Sequence, residues 1–155
     1  PKNCAPWTGS GRRLRRRTPD CPCRLQDKLP EAHRCRKHIV ERYIDAFKDI
    51  EGLIIPFVNQ ADTEPVFHIF PTMLPEGMDR MQVIEILKRE GVQSSIHYPM
   101  MQDFSAFKDY KLDETPLARS ISARELTLPL YPTMTDEEVD IVIAAFRLAL
   151  QEARK

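Results

Sequence analysis

Two segments that end in proline decide the fold: residues 93–99 read QSSIHYP, and residues 125–132 read ELTLPLYP. Each has the composition of a short strand, and each stops where proline, which has no amide hydrogen, cannot continue a sheet ladder. Polar and aromatic residues just before such a stop lie at strand ends, where functional sites are often built. His97 and Tyr98 are therefore the first candidates for chemistry.

Length and charge divide the chain into two parts. A chain of 155 residues suits one domain with a real core and is too short for two large domains. Residues 1–28 hold eight basic and two acidic side chains, a net charge of +6, although the whole chain is neutral. We predict that residues 1–27 form an irregular basic tail and that residues 28–155 form the folded domain.

Cysteine usage and hydropathy limit the class of protein. The cysteines at positions 4, 21, 23 and 35 match no zinc-site spacing, so no metal ligands are predicted. A disulfide framework is not expected, because the rest of the chain can bury an ordinary core, and we expect a reducing, cytoplasmic location. No apolar run approaches the length of a membrane helix, and the basic start lacks the apolar stretch of a signal peptide.

Hydrophobic periodicity predicts helices and strands in alternation. Apolar residues at helical spacing favour helices over about 29–51, about 78–90, from 115 onward and from 135 onward. β-branched and aromatic residues favour strands at 66–70, 93–97 and 125–128. This order predicts a small α/β (α+β) fold in which helices pack on one face of a three-stranded sheet.

Several residues have predicted structural roles in these helices. Asp79 is a predicted N-cap, and Thr135 and Glu138 form a predicted capping box, in which each side chain satisfies a backbone amide of the other. In the helix after residue 115, Leu117 and Ile121 are predicted to be buried.

Motifs of nucleotide-binding and hydrolytic enzymes do not occur in the sequence. There is no phosphate-binding glycine loop, zinc-protease motif or nucleophile elbow, and five glycines leave little room for a phosphate cradle. The His-Tyr-Pro and Leu-Pro-Leu-Tyr-Pro strand ends instead resemble, in order and spacing, the C-terminal domain of the DegT/DnrJ/EryC1/StrS family of sugar aminotransferases. The resemblance covers roughly residues 28–150, and other matching positions are Tyr43, Phe67–Phe70, Arg80, Leu87, Gly91, Val92, Phe104–Phe107 and Val139.

The resemblance implies the small C-terminal domain of a fold-type-I aminotransferase. It implies pyridoxal phosphate as cofactor, a nucleotide-linked keto sugar as substrate, an amino donor, and a homodimer as the assembly. The family's Schiff-base lysine belongs to a large domain that is expected upstream, and no lysine from Lys28 to Lys111 has the small-residue context of that lysine. No catalytic residue is therefore assigned. The 155-residue chain alone is expected to be inactive and not to hold the cofactor stably.

The first residues depart from the family pattern altogether. Relatives have an Asn-x-Arg motif where residues 1 to about 26 are rich in Arg, Cys and Pro. We hypothesise that these residues are a frameshifted or mis-started translation. Reading the encoding DNA in its other frames tests this hypothesis, which fails if no frame yields the motif.

Three residues are implied to belong to the substrate or cofactor pocket: His97, Tyr98 and Gln102. Imidazole, phenol and amide groups can hydrogen-bond to sugar hydroxyls or phosphate. The alternative for His97 and Tyr98 is a purely structural role in the sheet. Arg80 is expected at the surface, and His68 is expected in the core or at an interface.

Two other functions compete with that of an aminotransferase part. The first is a non-catalytic domain that docks on a partner or dimerises through an apolar surface. The second is binding of nucleic acid through the arginines between residues 12 and 17, but no aromatic platform accompanies them and we do not expect it.

Overall fold

The computed structural model describes residues 24–58, 65–107, 109–110 and 113–154, with side chains from residue 28 onward. A helix begins at Arg24, so residues 24–27 of the predicted irregular tail are helical. The rest of that tail, with its arginine cluster, lies outside the described residues. Cys35 is buried and disulfide-bonded.

Four helices of the described part of the chain follow the predicted order. Their bounds are α1 Arg24–Phe47, α2 Arg80–Arg89, α3 Pro116–Arg124 and α4 Asp136–Glu152. The predicted caps are confirmed: the Asp79 carboxylate accepts the amide of Met81, and Thr135 and Glu138 form the capping box of α4. Two single-turn 3₁₀ helices, Met101–Asp103 and Ser105–Phe107, precede α3. Among the described helices, none is long and apolar enough to cross a membrane.

The mixed α and β class is confirmed, but the sheet is smaller than predicted. Strands β1, Phe70–Met73, and β2, Glu125–Leu128, pair antiparallel, and β2 has the predicted bounds. In place of the predicted second strand, residues 93–97 contribute a single bridge from Ser95 to Thr127. A second bridge joins Ile54 to Met73 on the other side of β1.

Strand β1 begins at Phe70, where the predicted strand 66–70 was expected to end. Pro71 therefore lies inside the strand, opposite Thr127. This is tolerated because the Thr127 amide and carbonyl both bond to Ser95, at 2.8 and 3.1 Å, so the missing proline amide is not needed. The predicted strand ended directly before Pro71, and the ladder geometry explains why β1 continues through this proline.

One face of the sheet is covered by the helices. Phe70, Leu126 and Leu128 are buried on that face and join a core built from apolar residues of α1, α2 and α4. Alternation along a strand then places Glu125 and Thr127 on the opposite face. Helix α3 does not take part in this core: Leu117 is 74% exposed and Ile121 39% exposed, so the prediction that they are buried is wrong.

Candidate functional site

The face of β2 that points away from the helices carries two buried polar side chains. Glu125 is 5% exposed and Thr127 is 4% exposed. The Thr127 hydroxyl lies 2.5 Å from Glu125 Oε1. A buried carboxylate needs hydrogen-bond donors, and these come from Thr127 and from the segment that bridges to it.

His97 is held on this polar face through its backbone and its ring. Its amide donates to Glu125 Oε2 at 2.7 Å, and its Nδ1 lies 3.0 Å from the Thr127 hydroxyl oxygen. The Ser95 hydroxyl lies farther from Nδ1, at 3.4 Å. Among the described residues, none hydrogen-bonds to Nε2. The ring is thus anchored through Nδ1.

Tyr98 follows His97 and is the most exposed of the predicted pocket residues, at 75%. Its ring meets the imidazole edge-on, with centroids 5.0 Å apart, and its carbonyl accepts the Ser122 hydroxyl at 3.1 Å. The His97–Tyr98 peptide bond is cis. The structure therefore brings His97 and Tyr98 into contact, with the phenol open to solvent.

Gln102 lies in the first 3₁₀ turn, and its amide is engaged with the segment before α3. Its Nε2 donates to the Asp113 carbonyl at 2.7 Å, and its Oε1 accepts from Thr115 and Arg119 at 3.3 and 3.4 Å. Neither Gln102 nor Tyr98 is among the described residues that line the cleft beside His97. Their roles in a substrate pocket stay predictions.

An open cleft of about 570 Å³ lies beside His97. Its walls are the 91–97 segment, the end of β2 with the 129–131 turn, and the first turns of α4. The turn is tied to α1 because the Tyr43 hydroxyl donates to the Pro129 carbonyl at 2.9 Å. His68 also lines the cleft and is exposed, so it does not lie in the core, and the expected alternative of an interface position stays a prediction.

The cleft has polar side chains but little charge. Glu138 is the one carboxylate among its described lining residues, and no lysine or arginine is found among them. Desolvation, followed by the charge of Glu138, raises the pKa of Tyr131 above its usual value, so its phenol stays a neutral donor. In the part of the chain that the structure describes, no group of three or more His, Cys, Asp and Glu side chains could hold a metal ion.

Arg80 has a structural role, contrary to the surface position predicted for it. It is half-buried at the start of α2, and its guanidinium donates to the carbonyls of Ser122 and Glu125, the latter at 3.2 Å. These bonds fix the point where α3 passes into β2, two residues before Thr127. Arg80 therefore supports the strand that carries the polar face.

Glu125 and Thr127 were not predicted as site residues. Their signal was present in the strict alternation of polar and apolar residues in Glu-Leu-Thr-Leu, which places both on one face of the strand. Ser95 and His97 alternate in the same way. Such a pattern on two neighbouring segments predicts a polar contact between them.

Comparisons with known proteins agree with this architecture. The profile of the DegT/DnrJ/EryC1/StrS aminotransferase family matches residues 22–147. The spore coat polysaccharide biosynthesis protein SpsC of Bacillus subtilis is 35% identical over 127 residues, which cover 77% of this chain and 32% of that protein. The dTDP-4-amino-4,6-dideoxy-D-glucose transaminase of Escherichia coli is 29% identical over 121 residues, covering 74% of this chain and 32% of that protein.

A solved structure shows the same fold. The aminotransferase TlmJ of Streptoalloteichus hindustanus superposes with a TM-score of 0.76 at 25% identity, covering 83% of this chain and 34% of that one. The chain spans about a third of the length of the curated relatives it matches. The family profile covers well over half of the chain and includes both proline-ended segments. The chain belongs to the DegT/DnrJ/EryC1/StrS aminotransferase family.

Proposed function

We propose that residues 28–154 form one wall of the substrate site of a pyridoxal-phosphate-dependent aminotransferase that acts on nucleotide-linked keto sugars. In this proposal the complete site is assembled in a homodimer, with the cofactor-binding lysine on another domain. His97 and Tyr98 contact the substrate, while the lysine and the amino donor act from the opposite wall. The chain's own residues bind and orient the sugar.

One observation carries this proposal: His97 is anchored on a buried polar face and lines an open cleft with its Nε2 unbonded to the described residues. The hydroxyl and imidazole groups of the cleft suit a polyhydroxylated ligand, because each can donate or accept a hydrogen bond. The half-open shape suits one wall of a larger pocket.

The described residues do not by themselves fit pyridoxal phosphate. The cofactor needs a lysine for its aldehyde and several donors or cations for its phosphate. Of the described lysines, Lys28, Lys37, Lys48 and Lys88, none lines the cleft, and no described arginine lines it. We therefore derive no catalytic step through the cofactor from this part of the protein.

Titration of the ¹⁵N-labelled chain with dTDP-glucose tests the proposed wall. We expect weak binding, with backbone amide shifts concentrated at residues 93–98 and 127–131. His97→Ala should weaken binding by up to about tenfold, the size of one net hydrogen bond. His38→Ala is the matched control, because His38 is an exposed histidine on α1 outside the cleft. Shifts elsewhere, or none at millimolar sugar, would contradict the proposal.

Absorbance spectroscopy tests the expectation about the cofactor. The 155-residue chain mixed with pyridoxal phosphate should give no stable lysine-linked band, and with an amino donor and a nucleotide-linked keto sugar it should form no amino sugar. A band that survives dialysis and disappears after one lysine substitution would show that the chain holds the cofactor. That result would overturn the assignment of the lysine to another domain.

Docking or dimerisation is the second candidate function, and the exposed apolar side chains of the 98–121 stretch favour it. That stretch exposes Tyr98, Met101, Phe104, Tyr110, Leu117 and Ile121. Exposed apolar side chains cover interfaces in many soluble proteins. Size-exclusion chromatography with light scattering on the chain distinguishes this candidate from the proposed substrate-site wall. A stable dimer that Leu117→Glu dissociates, together with no binding of dTDP-glucose, would favour docking.

A further inference from the structure

We infer that Glu125 and Thr127 are positioning residues that set the tautomer of His97. With the neutral ring protonated on Nδ1, Nε2 faces the ligand as a hydrogen-bond acceptor. The inference depends on the direction of each bond in a chain of three side chains. It goes beyond the proposed function in two ways. It assigns a role to Glu125 and Thr127, and it makes His97 Nε2 a hydrogen-bond acceptor rather than a donor.

The direction of the chain is set at Glu125. A carboxylate has no hydrogen to donate, so both of its oxygens accept. Oε2 accepts the His97 amide at 2.7 Å, and Oε1 accepts the Thr127 hydroxyl at 2.5 Å. The single hydrogen of the Thr127 hydroxyl is therefore committed to Glu125.

The imidazole must then supply the hydrogen for the next bond. Thr127 Oγ1 lies 3.0 Å from His97 Nδ1, and with its own hydrogen committed it can only accept there. Nδ1 therefore carries a proton. The Ser95 hydroxyl, 3.4 Å from Nδ1, can accept the same hydrogen as a weaker second partner.

Burial maintains this order of donors and acceptors. Glu125 and Thr127 are almost completely withdrawn from solvent, so a water molecule cannot easily supply or take a hydrogen in their place. Free histidine prefers the proton on Nε2, and the partner of the other nitrogen decides the tautomer in a protein. The network thus holds His97 in the tautomer that the free side chain disfavours.

The consequence concerns the ligand, and only this step rests on the proposed function. A neutral His97 with a lone pair on Nε2 accepts a hydrogen bond and cannot donate one from that atom. The ligand group that meets it must carry a hydrogen, as a sugar hydroxyl or an ammonium group does. A fully ionised phosphate or carboxylate oxygen would meet the lone pair unfavourably.

Long-range ¹H–¹⁵N correlation spectra of the imidazole rings test the tautomer directly. At a pH of about 8, where an ordinary histidine is neutral, the 155-residue chain should show His97 with Nδ1 protonated and Nε2 unprotonated. His33 is an internal reference of the opposite kind, because its Nε2 lies 2.9 Å from the Pro65 carbonyl and must donate to it. A His97 spectrum of the same type as that of His33 would overturn the inference.

Three variants test whether the two residues set the tautomer. In Glu125→Gln the new amide can donate to Thr127, which frees the hydroxyl hydrogen for Nδ1, so the Nε2 resonance should move to its protonated range. Thr127→Val removes the hydroxyl that accepts from Nδ1 and should also move the Nε2 resonance towards its protonated range. Thr127→Ser keeps the hydroxyl and should leave it unchanged. Amide spectra away from the cleft report whether each variant is folded.

The variants also separate this inference from the proposed function. An unchanged tautomer in both Glu125→Gln and Thr127→Val would refute the positioning role. The expected tautomer combined with no binding of dTDP-glucose would refute the sugar site and leave the tautomer inference intact. Since the wild-type spectrum alone reports the tautomer, loss of folding in a variant does not prevent the test.

Discussion

Substituting Tyr43 by Phe removes one hydrogen bond between the core and the cleft. The Tyr43 ring is fully buried between Phe47 and Phe70, with centroids 5.8 and 5.0 Å away, and its hydroxyl donates to the Pro129 carbonyl at 2.9 Å. Phenylalanine keeps the ring packing, so only the bond is lost. We expect the free energy of unfolding to fall by about 1 kcal/mol at pH 8.

Alkaline pH should reverse this difference. Burial, and secondarily the charge of Tyr131, raises the pKa of Tyr43 far above its usual value of 10.0, although Arg42 partly offsets the rise. The unfolded chain therefore releases the phenol proton from about pH 10, while the folded chain keeps it. Below about pH 10 the phenol is protonated in both the folded and the unfolded chain, so its contribution to the free energy of unfolding is fully present. As the pH rises, ionisation of the unfolded chain lowers the free energy of unfolding, by about 1.4 kcal/mol at pH 11.

Urea denaturation at pH 8 and pH 11 tests both the loss of the hydrogen bond and the effect of the raised pKa of Tyr43. The variant should be less stable than the wild type at pH 8 and equal or slightly more stable at pH 11, because it lacks the ionising phenol. Tyr110→Phe is the control, since Tyr110 is exposed and its hydroxyl bonds to no described residue. A stability difference that stays constant between the two pH values would refute the reasoning.

Two further substitutions test local features of the helices. Thr135→Ala removes the capping box of α4 and should lower the free energy of unfolding by about 1 kcal/mol in urea denaturation, whereas an unchanged midpoint would contradict the cap's contribution. Arg80→Ala removes a charged donor to two backbone carbonyls and should cost about 1.5–3 kcal/mol. Arg89→Ala, at the other end of α2, removes only exposed ion pairs and should change the thermal midpoint much less.

Structural features that depend only on residues close together in the sequence could be predicted. The caps at Asp79 and Thr135 are confirmed because each is decided within four residues of the chain. The bounds of β1 could not be predicted in this way. Residues 66–69 have strand composition but no strand partner, whereas Phe70–Met73 pairs with β2. Composition indicates that a segment can form a strand, but pairing with a neighbouring strand decides which of its residues do so.

The exposure of α3 has a similar explanation. Leu117 and Ile121 lie four residues apart, which is the spacing of a buried stripe, but no described element covers them. Periodicity predicts which side of a helix is apolar, and it does not predict whether anything packs there. The chain spans about a third of the length of its curated relatives. For each of its apolar surfaces outside the core, periodicity therefore cannot predict whether another part of a protein packs there.

The candidate site follows from a single register between the 93–97 segment and β2. The bridge from Ser95 to Thr127 is antiparallel, so the position two residues after Ser95 lies opposite the position two residues before Thr127, and His97 meets Glu125. A slip of one residue on β2 would turn Glu125 and Thr127 into the apolar core and place leucines beneath the histidine. Burial of Leu126 and Leu128 forbids that slip. The hydrophobic core therefore selects the register that builds the polar support of His97.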